Sequence, residues 1–179
     1  MKKPMLPEIL QRRTLAKTRL FTIEAVDLQF SNGNQRTYER LNAKKNAVII
    51  VPFLDEDTIV FVREYGCGLH DYVLGLPKGL VDANESFLDA ANRELQEEVG
   101  FAAADLTHLG PIYNSPSYLQ SQIQCVVAKN LRPSSLPGDE PEPLEQIPIA
   151  WAEIPVLVRN GQLRDSRSLA ALFMIQCAP

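Results

Sequence analysis

The chain has 179 residues, of which 45% are hydrophobic and 22% charged, and a formal net charge of -4 at pH 7. That is enough apolar material for a domain core, and the acidic balance argues against a protein that grips nucleic acid or an anionic membrane through bulk charge. Cys67, Cys125 and Cys177 offer neither a CxxC pair nor a disulfide framework, and the longest apolar run, residues 47–54, falls far short of the roughly 20 residues of a membrane span. A cytoplasmic protein is expected.

Residues 1–18 carry prolines and charge without a clear period and read as an arm; Pro4, Pro7 and Glu8 interrupt any signal-peptide core. Residues 20–30 and 35–41 partly alternate apolar and polar side chains around Ser31, Asn32, Gly33 and Asn34. This predicts a hairpin, because Asn and Gly tolerate positive φ. The expected division is an arm with a small β element over residues 1–44 and a main domain over residues 45–179.

Two β-branched runs follow at residues 47–51 and 58–62, separated by Asp55, Glu56 and Asp57. They read as an antiparallel pair of buried strands. Over residues 85–99 the period becomes helical, with Leu88, Ala91, Leu95 and Val99 on one face and Gly100 placed to cap the end. Strands are expected at residues 106–113 and 123–128, and a Pro-rich acidic loop at residues 133–143. Two helices close the chain, at residues 155–160 with Pro155 first, and at residues 166–176 with Asp165 or Ser166 as N-cap.

At about 100° per residue, Glu94, Glu97 and Glu98 share one patch beside the apolar stripe. They lie in the last turns, where the helix dipole is itself negative, and they repel one another. A solvated acidic face is the ordinary explanation of such a patch. The alternative is a hard cation such as Mg²⁺ or Mn²⁺, which oxygen ligands suit and which leaves positions open for phosphate oxygens and water.

The stretch from Gly79 through Glu85 and Arg93-Glu94-Leu95-Gln96-Glu97-Glu98-Val99-Gly100-Phe101 resembles the Nudix box, GX5EX7REUXEEXGU with U a bulky apolar residue. Every fixed position matches. The resemblance implies an α/β/α sandwich with a mixed sheet and hydrolysis of a diphosphate linkage with Mg²⁺, or Mn²⁺, as cofactor. It implies that Glu94, Glu97 and Glu98 are metal ligands, with the backbone carbonyl of Lys78 as a further one. Arg93 would orient them, with Glu85 as its ion-pair partner. Gly79 and Gly100 are read as structural, at a turn and a cap.

Pro116, fifteen residues beyond Phe101, and Tyr118 are similar to markers of the ADP-ribose pyrophosphatase branch and of relatives acting on dinucleoside polyphosphates. The resemblance to that branch implies ADP-ribose, short diadenosine polyphosphates and NADH as substrates, release of AMP, and a homodimer. The motif of NADH-specific members is missing after Phe101, which makes NADH secondary. Gly75 stands where many members of the branch carry a glutamate. Arg63 is a candidate for a phosphate or ribose contact. Tyr65, Tyr38, Phe21 and Phe30 could stack an adenine, although core packing is the plainer role for the phenylalanines. Within residues 138–145, Glu140 or Glu142 is the expected general base, Glu140 preferred, with Glu97 the next candidate. Two other readings stay open: a Nudix enzyme for another nucleoside diphosphate or triphosphate, and a binding module that keeps the fold without catalysis.

Overall fold

The computed structural model describes residues 4–42 and 46–178, so the expected division between residues 44 and 45 lies outside the described residues. Two compact units are formed, one from Met1–Lys44 and Tyr113–Ser121, the other from Lys45–Ile112 and Gln122–Pro179.

The first unit is a sheet of β1 (Glu8–Lys17), β2 (Thr22–Gln29), β3 (Gln35–Asn42) and β9 (Leu119–Gln120), ordered β1-β2-β3-β9. The hairpin closes as expected, with Gly33 at φ +84° and its N–H donating to the Phe30 carbonyl at 2.9 Å. Residues 8–17, read from the sequence as an arm without a clear period, form a strand paired with β2. Every residue of β1 is exposed, and its pairing with β2 carries two register shifts. A strand held by its ladder alone leaves no alternation in the sequence.

The second unit holds two sheets. One is ordered β7-β4-β10-β8, from β7 (Lys78–Leu80), β4 (Ala47–Pro52), β10 (Ile123–Pro133) and β8 (Phe101–Ile112), with β4 and β10 parallel and the other pairs antiparallel. The other is antiparallel, ordered β11-β5-β6, from β11 (Glu145–Ala150), β5 (Thr58–Gly66) and β6 (Asp71–Gly75). The expected β4–β5 pair is therefore corrected: the two strands belong to different sheets, joined where the chain passes between them by the antiparallel Phe53–Ile59 bridge. Both are buried on both faces, so their sequences hold no mark of which edge pairs with which.

That double burial sorts alternate residues between two cores. Val48, Ile50, Val60 and Val62 pack with Ala90, Ala91, Leu95 and Val99 of α1 (Phe87–Glu98). Ile49, Val51, Ile59 and Phe61 face the other way, onto Ile154 of α2 (Ile154–Arg159) and Ala171 and Leu172 of α3 (Ser166–Gln176). Helices thus cover both sides of a mixed β layer, the α/β/α arrangement expected. Leu88 was expected in the α1 stripe but is 37% exposed, and Ala90 takes the buried place. Among the described residues no helix is long and apolar enough to cross a membrane.

Candidate active site

The box helix is fixed at both ends by its own sequence. Ser86 caps it by accepting the Asp89 N–H at 3.1 Å, and Gly100 turns the chain away at φ +72°. Seating Leu95 and Val99 in the core carries Glu94 and Glu98 inward with them, so that the two carboxylates are only 8% and 5% exposed.

Both then meet the β7 backbone. Glu98 Oε2 accepts the Lys78 N–H at 3.0 Å. A Cβ at Gly79 would stand 2.0 Å from the Glu94 carboxyl carbon. Gly79 lies within β7 and has no positive φ, so its role is to admit that carboxylate, not to make a turn. Arg93 gathers the remaining acids. Its Nε and Nη2 grip Glu85 at 2.9 and 3.0 Å, Nη1 donates to Glu94 and Glu97 at 2.8 Å each, and Nη2 also reaches the Leu80 carbonyl at 2.8 Å. The guanidinium holds the Glu85 carboxyl below the usual range and is itself driven further toward its charged form.

Burial pushes the Glu94 carboxyl up against the opposing pull of Arg93, and Glu97 and Asp139 add to the rise. Burial likewise pushes Glu98 up to about 8, with Lys78 opposing and Glu64 and Glu140 adding. Three groups outside the box thus enter the cluster, one from β5 and two from the loop after β10. Glu64 continues the β5 face of Val60 and Val62 and pairs with the Lys78 ammonium. The sequence reading passed over it, although the period of two along β5 carries the signal. The loop after β10 brings in Asp139 and Glu140. Leu136 N–H donates to the Gln96 carbonyl at 3.2 Å, and Ser134 Oγ to Gln96 Oε1 at 2.8 Å, which lays residues 134–140 along the end of α1.

The loop separates its own acids. Asp139 and Glu140 act electrostatically on Glu94 and Glu98, whereas Glu142 accepts the Tyr72 hydroxyl over β6. Arg63 lies on the β5 face opposite Glu64, paired with Glu145 at 2.8 Å, and is not among the cluster. Tyr65 stacks edge-on against Tyr72 and His70. Pro116 and Tyr118 lie in the first unit, where the Tyr118 carbonyl accepts the Leu41 N–H at 2.7 Å. Tyr38 and Phe30 make a tilted ring pair there.

Among the described residues no three acidic groups already stand at metal-binding spacing; Arg93 and the Lys78 N–H hold the carboxylates instead. The donor set nevertheless fits a hard divalent cation, since it is oxygen only and burial raises both Glu94 and Glu98, a cost to their charged forms that a cation would offset.

Comparison with known proteins bears on the same residues. Residues 43–172 match the NUDIX domain, and residues 7–40 match the NudE-type Nudix hydrolase N-terminal domain. The chain is 48% identical over 171 residues to the ADP compounds hydrolase NudE of Escherichia coli (strain K12), an alignment covering 95% of this chain and 91% of that protein. It is 25% identical over 174 residues to an ADP-ribose pyrophosphatase of Bacillus subtilis (strain 168), covering 93% and 94%. A crystal structure of an ADP compounds hydrolase superposes with a TM-score of 0.89 at 46% identity, covering 98% of this chain and 95% of that one. The chain belongs to the Nudix hydrolase family, with an N-terminal domain of the NudE type.

Proposed function

We propose that the protein hydrolyses the diphosphate linkage of ADP-containing nucleotides, ADP-ribose and short diadenosine polyphosphates foremost and NADH more slowly, releasing AMP. The observation that carries the reading is the pair of buried carboxylates, Glu94 and Glu98, seated on the Lys78–Gly79 backbone within an otherwise intact box. The names of its relatives supply the ADP part.

Mg²⁺, or Mn²⁺ in its place, would be held by Glu94, Glu97 and Glu98 with the Lys78 carbonyl. A bound divalent cation neutralises diphosphate oxygens and lowers the pKa of an attacking water. The chain's own groups do the rest. Arg93 fixes the rotamers of Glu94 and Glu97, and Glu85 fixes Arg93. Glu140 takes the proton of the attacking water as general base, in preference to Glu142, which Tyr72 engages. Arg63, Tyr65, Pro116 and Tyr118 remain proposed substrate contacts. The same proposal includes a homodimer, supported by β1, whose Ile9, Leu10 and Leu15 are exposed at a sheet edge, and a cytoplasmic location, supported by three unpaired cysteines.

The test is a panel of ADP-ribose, diadenosine diphosphate and triphosphate, NADH, GDP-mannose and dGTP with Mg²⁺, products resolved by chromatography. AMP released fastest from the ADP-containing compounds is expected. Faster turnover of GDP-mannose or dGTP would overturn the substrate, and no turnover of any would leave a binding module.

A further inference from the structure

Beside the carboxylate cluster, and entirely within the second unit, lies a cavity of about 390 Å³. One wall is the Glu64–Lys78 ion pair, whose lysine also gives its backbone N–H to Glu98. The site that would hold the scissile diphosphate and this cavity thus share a boundary. The segment leading into α3, with Arg164, Asp165 and Arg167, lines it too, as does Tyr65.

The α3 wall is anchored. Asp165 caps α3 by accepting the Ser168 N–H at 3.0 Å, and the buried Ser168 hydroxyl donates to Asp165 at 2.7 Å while accepting the Leu76 N–H at 2.9 Å. Asp165 also pins Arg167 through Nε and Nη2, each at 2.9 Å, which leaves Nη1 without a hydrogen-bond partner among the described residues. Arg164 is set by one bond, Nε to the Gly161 carbonyl at 3.1 Å, and pairs with no carboxylate among the described residues. Gly75 also lines the cavity, and a Cβ there would already stand 3.3 Å from Ser168 Oγ. A glutamate at that position would press on the cap that holds Arg167; glycine leaves that cap undisturbed.

We propose that this cavity receives the half of the substrate beyond the scissile linkage, and that Arg164 and Arg167 are specificity residues reading a further phosphate on it. The inference rests on the hydrolysis of ADP compounds proposed above. Its chemistry is that of a cationic fork fixed by Asp165 beside a free one. The leaving half selected is a nucleoside or sugar bearing more than one phosphoryl group, as when a dinucleoside triphosphate is cut to AMP and ADP. ADP-ribose, whose leaving half carries a single phosphate, gains less from the same wall.

The experiment compares kcat and KM for diadenosine triphosphate and ADP-ribose in the wild type, Arg164→Gln, Arg167→Gln, the double variant and Arg167→Lys. The ratio of kcat/KM for the triphosphate over ADP-ribose is expected to fall about tenfold or more in the double variant, through KM, since one charge-assisted hydrogen bond has that weight. Arg167→Lys should recover part of the ratio. Arg164→Gln guards against a folding artefact, because that side chain stands outside the Asp165 cap. A wild type active on both substrates with an unchanged ratio in every variant would overturn the inference alone. A wild type inert on both would remove the proposed reaction and this inference with it.

Discussion

Glu98 shows how one side chain serves opposite ends with and without a cation. Its carboxyl is raised from 4.5 to about 8, chiefly by burial, so the folded state binds the proton more tightly than the unfolded state does. The sign follows: this contribution to stability is complete below about pH 4.5 and is lost as pH rises through about 8. In metal-free protein, Glu98→Gln, which mimics the protonated form and can still accept the Lys78 N–H, should match the wild type in Tm near pH 5 and exceed it at pH 9. With Mg²⁺ the order should reverse, and the variant should lose most of its activity while keeping its circular dichroism spectrum. An equal pH slope for both proteins would contradict the buried, proton-holding carboxyl. Such residues were legible in part. The box spacing marked Glu94, Glu97 and Glu98, but the purpose of Gly79 was not legible, because the approach of Glu94 to its Cα depends on where α1 docks on β7.

At the scale of the element, α1 was the plainest reading because a 3.6-residue period reports a buried stripe directly. Leu95 is wholly buried and Leu88 is 37% exposed, so urea unfolding should give a loss of about 2 to 5 kcal/mol for Leu95→Ala and about 0.5 kcal/mol for Leu88→Ala. Strand partners were less legible. β4 and β5 are apolar on both faces, and β11, interrupted by Pro148, carries too weak a pattern to separate it from the loop before it. The loop over α1 makes its own prediction. Glu140→Gln should lower kcat by about 10² to 10⁴ at nearly constant KM, whereas Glu142→Gln, which only loosens the Tyr72 contact, should cost far less. Equal and small effects from both substitutions would shift the proton transfer to Glu97.

The whole molecule was least legible where distant segments meet. β9 joins β3 in parallel from some eighty residues away, and a two-residue strand leaves no periodic trace. The homodimer belongs to this scale too: light scattering should give twice the 20.0 kDa of the chain, and deletion of residues 4–17 should yield the monomeric mass. The passage from β6 to β7 carries a different consequence. β6 ends in one sheet at Gly75, β7 begins in the other at Lys78, and only Leu76 and Pro77 span the gap. Pro77 gives its carbonyl to the Ile50 N–H at 2.9 Å, and Leu76, fully buried, gives its N–H to Ser168. These two residues work as a rivet through both sheets, placed where the carboxylates gather. The Leu76 amide should therefore exchange with deuterium only through global unfolding, and Ser168→Ala should release it early. Loosening the rivet should therefore loosen the carboxylate cluster as well, since Lys78, the next residue along, gives its N–H to Glu98.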